Sequence, residues 1–177
     1  MKMVKFALMA FLAAMSLQSQ AQLSVKVFDN LNLTDTNIGY GAGFINAAGA
    51  SQCALISLDA ESESKFLDRI RTVAKIGSVR KGYDRNLYYA GLVQFDLKKQ
   101  PTDVHVYLGA GVQDVIDNKD VNPFFANISI CTENYFPKIP FLDIFMSLDV
   151  QLGKKKGSKG PGGHIGILID LSSRDED

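Results

Sequence analysis

The 177-residue chain contains two histidines, His105 and His164. With Asp96, Asp149, Asp170, Gln94 and Gln151 they fall on one set of alternate positions in four extended stretches. Imidazoles beside carboxylates can ligate a metal ion or relay a proton. Neither use has a local signature here, since no His-x-x-x-His or other closely spaced ligand set occurs, so no metal and no cofactor is expected. A hydrogen-bonded polar network is the expectation for these seven residues, because enclosed carboxylates must be paired or neutralised. A lipid-modifying barrel of the acyl-transfer kind would need a histidine and a serine near one rim. Serines lie in nearby strands, but nothing around any of them marks a nucleophile, and the expectation is a protein that is not an enzyme.

Two other stretches invite a chemical reading. Gly39-Tyr40-Gly41-Ala42-Gly43 lacks the G-x-G-x-x-G spacing and is followed by FINAAGAS, with no evident helix. Glycines on one face of a strand more simply make room in a crowded interior. The run from Gly153 to Gly160 has no Gly-Lys-Ser/Thr at the P-loop position. Its Lys154, Lys155, Lys156 and Lys159 suit a solvated hairpin tip that could touch lipid phosphates.

The elements that hold these residues begin after residue 21. Basic Met1 to Lys5, the apolar run Phe6 to Leu17 and the small residues of Ser19-Gln20-Ala21 form the three parts of a secretory signal peptide. Residues 22–177 are then expected to be a single domain. They carry 17 basic and 19 acidic residues, a balance that argues against a nucleic-acid partner. Cys53 and Cys131 could pair in an exported chain, but they lie in segments expected to be far apart, which favours free thiols.

Alternating stretches recur at 23–30, 37–46, 51–59, 87–97, 103–113, 123–132, 143–153 and 163–172. Most are 9–11 residues long, the length a tilted strand needs to cross a bilayer. Segment 60–86 is ambiguous. Phe66, Leu67, Ile70, Val73 and Ala74 have helical spacing with Ser62 as a cap, which favours a short amphipathic helix, while Ile70, Thr72, Ala74 and Ile76 alternate as a strand would. On the strand reading, 23–30 becomes an extension and the count stays at eight.

From residue 87 onward one alternate set is apolar and uncharged, running through Val106, Ile128, Leu148 and Ile167. The other holds Gly, Ala, Ser, Asn, Gln, Asp, His and some aromatics, with no Lys, Arg or Glu. Bulk-water strand faces are usually rich in those charged residues, so the second set suits a narrow interior and the apolar set suits lipid. Tyr40, Phe44, Tyr89, Phe95, Phe124, Phe141 and Phe145 lie mostly near strand ends, as interfacial girdles do.

In this patterning, and in the glycine-rich alternation of NIGYGAGF and VYLGAGV, the chain resembles the small outer-membrane β-barrels of Gram-negative bacteria. The resemblance covers most of residues 23–172 and implies an all-β, eight-stranded antiparallel up-and-down barrel in the cell outer membrane. Membrane lipid, including lipopolysaccharide, is the implied partner, with structural, adhesive or ligand-binding work done by outer loops. Both termini, with turns 98–102 and 133–142, are expected on the periplasmic side, and 60–86, 114–122 and 154–162 on the other. The alternative is a secreted, soluble β-barrel or sandwich, periplasmic or extracellular, binding a small apolar ligand in its core.

Overall fold

A computed structural model describes residues 32–61, 64–97, 104–132, 136, 138–139, 141–152 and 161–171. The 23–30 stretch, the signal segment and Lys154, Lys155, Lys156 and Lys159 lie outside them. Eight strands run in chain order: β1 (Asn32–Ile45), β2 (Gly49–Glu61), β3 (Ile70–Lys81), β4 (Asp84–Asp96), β5 (Val104–Val115), β6 (Phe124–Thr132), β7 (Leu142–Leu152) and β8 (Pro161–Asp170). Each pairs antiparallel with its neighbours, and β8 pairs with β1 to close the barrel. Partners followed once round from Asp35 lead through Asp59, Arg71, Gln94, Gly109, Asn127, Asp149 and Gly162 to the level of Ile45. The strands are therefore strongly tilted against the barrel axis, as closure of a staggered sheet demands.

Segment 60–86 departs from the favoured helix. Among the described residues only Leu67–Arg69 is helical, as a single 3-10 turn, and 70–86 form part of the hairpin of β3 and β4. Its two-residue loop is Gly82-Tyr83, with Gly82 at φ 66°, in the left-handed region that glycine enters without a steric penalty. The hairpin splits the segment between the two ends of the barrel. Residues 64–69 lie between β2 and β3 at the end where β1 begins and β8 finishes, and Gly82-Tyr83 lies at the opposite end with 46–48 and 116–123. So 60–86 is not one outward loop, because β3 crosses the wall between its halves.

The faces divide as alternation dictates. Ile128, Leu148, Met146, Ile165 and Val93 are exposed on the outer wall, while Tyr88, Phe125, Asn127, Cys53 and Ser57 are almost wholly enclosed. Leu58 and Ala60 belong to the outer set yet are buried, because the 64–69 turn lies against β2. That turn is pinned by Phe66 packing on Phe95 at 5.1 Å and by the Arg69 guanidinium 4.5 Å from the same ring. Phe145 points into the lumen, unlike the other six girdle aromatics, because its strand parity is that of Ser147 and Asp149.

Candidate functional site

Polar groups converge in the lumen, and the register explains how they meet. Asp59, Arg71, Gln94, Asn127 and Asp149 stand on a single row of facing residues round the wall. Arg71 donates from Nε and Nη2 to the two oxygens of Asp59, at 2.6 and 2.8 Å, and its guanidinium lies 4.3 Å from the Tyr107 ring. Gln94 Nε2 donates to Asn127 Oδ1 at 2.6 Å and to Ser129 Oγ at 2.7 Å. Asn127 Nδ2 then donates to Asp149 Oδ1 at 2.6 Å.

Glycines make these links possible. Gln94 and Asn127 are on β4 and β6, separated by β5, where Gly109 faces both. A Cβ on Gly109 would stand 2.5 Å from the Val93 carbonyl oxygen and 2.9 Å from Gln94 Cγ. Gly109→Ala is therefore expected to displace Gln94 and to destabilise the barrel by about 1–3 kcal/mol, the usual result of overpacking, read as a lower urea midpoint. Gly43 acts likewise between β2 and β8. It faces Ser51 on one side and His164 on the other, and across it Ser51 Oγ and His164 Nε2 form a hydrogen bond of 2.9 Å.

His164 joins this bond to the row. Its Nδ1 stands 3.6 Å from Asp149 Oδ2, and the Lys75 ammonium stands 3.6 Å from the same oxygen. The imidazole stacks on Tyr88 with centroids 5.9 Å apart. Serine, histidine and aspartate thus follow one another as in a hydrolytic triad. The His164–Asp149 separation exceeds a hydrogen bond, and all three residues are buried.

The end of the lumen above this group is plugged. Asn122 N donates to Gln151 Oε1, Gln151 Nε2 to the Asn46 carbonyl, Gln113 Nε2 to the Asn122 carbonyl and Asn118 Nδ2 to the Ala47 carbonyl. Beneath these bonds Ile45, Ala48, Val79, Tyr88, Val115, Val121 and Phe125 form an apolar stopper. Further along the lumen lies a cavity of about 30 Å³ bordered by Ser57, Arg71, Lys75 and Gln94, room for a water or two and far below the size of a drug-like ligand pocket.

Of the seven residues expected in a network, Gln94, Asp149 and His164 belong to this central group. Asp96 and His105 form a separate pair at 2.7 Å near the terminal end, Gln151 belongs to the plug, and Asp170 sits half-buried at the end of β8. The polar set read from residue 87 onward brings no basic residue inside, but Arg71 and Lys75, from the segment left ambiguous, are both inside and buried. Both come from β3, the strand favoured as helix, and each is enclosed against a carboxylate. Asn127, Ser129 and Ser51 also belong to the group, and the signal for them was parity with Asp149 and His164. The two thiols are free and buried, and among the described residues no cluster of His, Cys, Asp or Glu could hold a metal ion. Comparisons with family models, curated proteins and solved structures return no match for this chain.

Proposed function

We propose that this protein is exported and spans the outer membrane as a closed, non-enzymatic barrel that works through the loops remote from its termini. One observation carries the reading. Among the described residues, the outward positions of all eight strands bear no charge except Arg80, Arg85 and Asp114, all at the plugged end. Large apolar side chains such as Leu108, Phe124, Leu148, Leu152 and Ile165 stand about half exposed between. A wall this apolar far exceeds what soluble monomers leave to water and matches the lipid-facing band of a membrane barrel. The plug and the small internal cavity speak against a pore and against an enclosed apolar ligand.

The test is membrane fractionation joined to gel migration with and without heating. The expected result is recovery in the outer-membrane fraction and faster migration of the unheated sample. Recovery as a soluble protein without a heat-dependent shift would overturn the assignment and favour the secreted alternative.

The Ser51–His164–Asp149 chain supports a second reading, ester hydrolysis. Ser51 Oγ would attack the acyl carbonyl while His164 Nε2 takes its proton, the alcohol would leave with that proton, and water would then release the acid. Burial beneath the plug and the 3.6 Å gap favour a structural role. A fluorophosphonate probe separates the two. The folded barrel is expected to stay unlabelled, and labelling that disappears in Ser51→Ala would establish the hydrolase.

A further inference from the structure

We propose that the outer wall of β1 to β4, at the plugged end, binds the phosphate of a lipid headgroup. The inference rests on the membrane reading above. A recess of about 220 Å³ opens there, lined by Ser51 and by six outward residues, Ala42, Ala50, Gln52, Ser78, Arg80 and Arg85. The register places these outward residues in two adjacent rows, Ala42, Gln52 and Ser78 in one and Ala50, Arg80 and Arg85 in the next.

Three features point to an anion. Arg80 and Arg85 face each other directly across β3 and β4, where like charges repel and cost stability. Among the described residues neither has a carboxylate within 4 Å, and no acidic side chain lines the recess. Arg80 Nε is anchored on the Gly82 carbonyl at 3.0 Å, which holds that guanidinium at the hairpin while its other nitrogens stay free to donate. Two forked guanidiniums match the geometry of phosphate oxygens, as they do that of a carboxylate.

The floor and position point to a lipid. Gln52 is fixed between Tyr40, whose hydroxyl donates to its Oε1 at 2.8 Å, and Ser78, to which its Nε2 donates at 3.4 Å. Ala42 and Ala50 leave a hollow beside the exposed Phe44, Ile76 and Leu87. An acyl chain descending from a headgroup held at Arg80 and Arg85 would lie in that hollow, along the apolar band. The charges sit just past the last apolar residues of β3 and β4, at the level where headgroups meet such a band.

The experiment uses the full mature chain refolded into phosphatidylcholine vesicles doped with phosphatidic acid. Lipids retained on the detergent-released barrel are counted by native mass spectrometry. One phosphatidic acid per barrel is expected, bound in preference to phosphatidylcholine. Arg80→Gln with Arg85→Gln should weaken it about tenfold to a hundredfold, the size of losing charge-assisted hydrogen bonds. Lys81→Gln with Lys119→Gln, which removes equal charge at the same end, should not. Equal weakening by both pairs overturns the site in favour of diffuse attraction, and displacement by inorganic phosphate at matched concentration overturns the lipid as its source. Heat-dependent migration separates the two levels: intact insertion without phosphatidic acid preference sinks this inference alone, and failure to insert sinks both.

Discussion

In a bilayer, Ile128→Lys is expected to cost the folded barrel about 2–4 kcal/mol, the penalty for an ammonium on the lipid face near the midplane. Ile128 sits mid-strand on β6, flanked across the sheet by Leu108 and Leu148, and all three are exposed on the outer wall. Against a total stability of about 5–15 kcal/mol, that loss should show plainly in a urea titration of the refolded protein in vesicles. The same substitution at Thr132, the last residue of β6 and also outward, should cost only about 0–1 kcal/mol, because near the interface a lysine head can reach water. Depth dependence is the diagnostic. In a soluble barrel both positions would face water, and both lysines would change stability by roughly 0.5 kcal/mol or less. Equal, small effects at Ile128 and Thr132 would remove the basis for a lipid-facing wall.

The wall was legible in the sequence because alternation leaves little choice once one face is wholly apolar and the other is small and polar. Strands β4 to β8 meet that condition apart from Arg85 and Asp114 at the plugged end, and their register follows from it. Strand β3 does not. Arg71 and Lys75 stand four residues apart beside Phe66, Leu67, Ile70 and Ala74, which reads as the wet edge of an amphipathic helix. Lysine and arginine are rarely enclosed without a partner, and the partners here are Asp59 on β2 and Asp149 on β7. No local pattern announces an ion pair across a lumen. The Ser51–His164 bond was hidden for a related reason: it needs the β8–β1 closure and a glycine between them. Glycine-rich alternation was visible as a pattern, but its use, letting second-neighbour strands touch, depends on the closed barrel.

The Lys75–Asp149 pair gives the second large effect. Both side chains are nearly inaccessible, and among the described residues the Lys75 ammonium has no hydrogen-bond partner, only the carboxylate at 3.6 Å. Asp149→Asn keeps the shape and an acceptor for Asn127 but leaves the ammonium without a counter-charge. It is expected to destabilise the barrel by about 3–5 kcal/mol, the usual cost of orphaning one member of a buried pair. Lys75→Met should cost less, since Asp149 keeps the Asn127 hydrogen bond and the neighbouring His164 ring. Combining the two substitutions removes both charges and both desolvation penalties, so the double variant should recover most of what Asp149→Asn loses. Refolding all four proteins in one detergent and comparing their guanidinium midpoints completes the cycle. A coupling energy of about 1–3 kcal/mol or more marks a working pair. Strict additivity would mean that Lys75 reaches water or another acceptor in the folded barrel, and that the polar row round the lumen is held by the Gln94–Asn127–Asp149 hydrogen bonds alone.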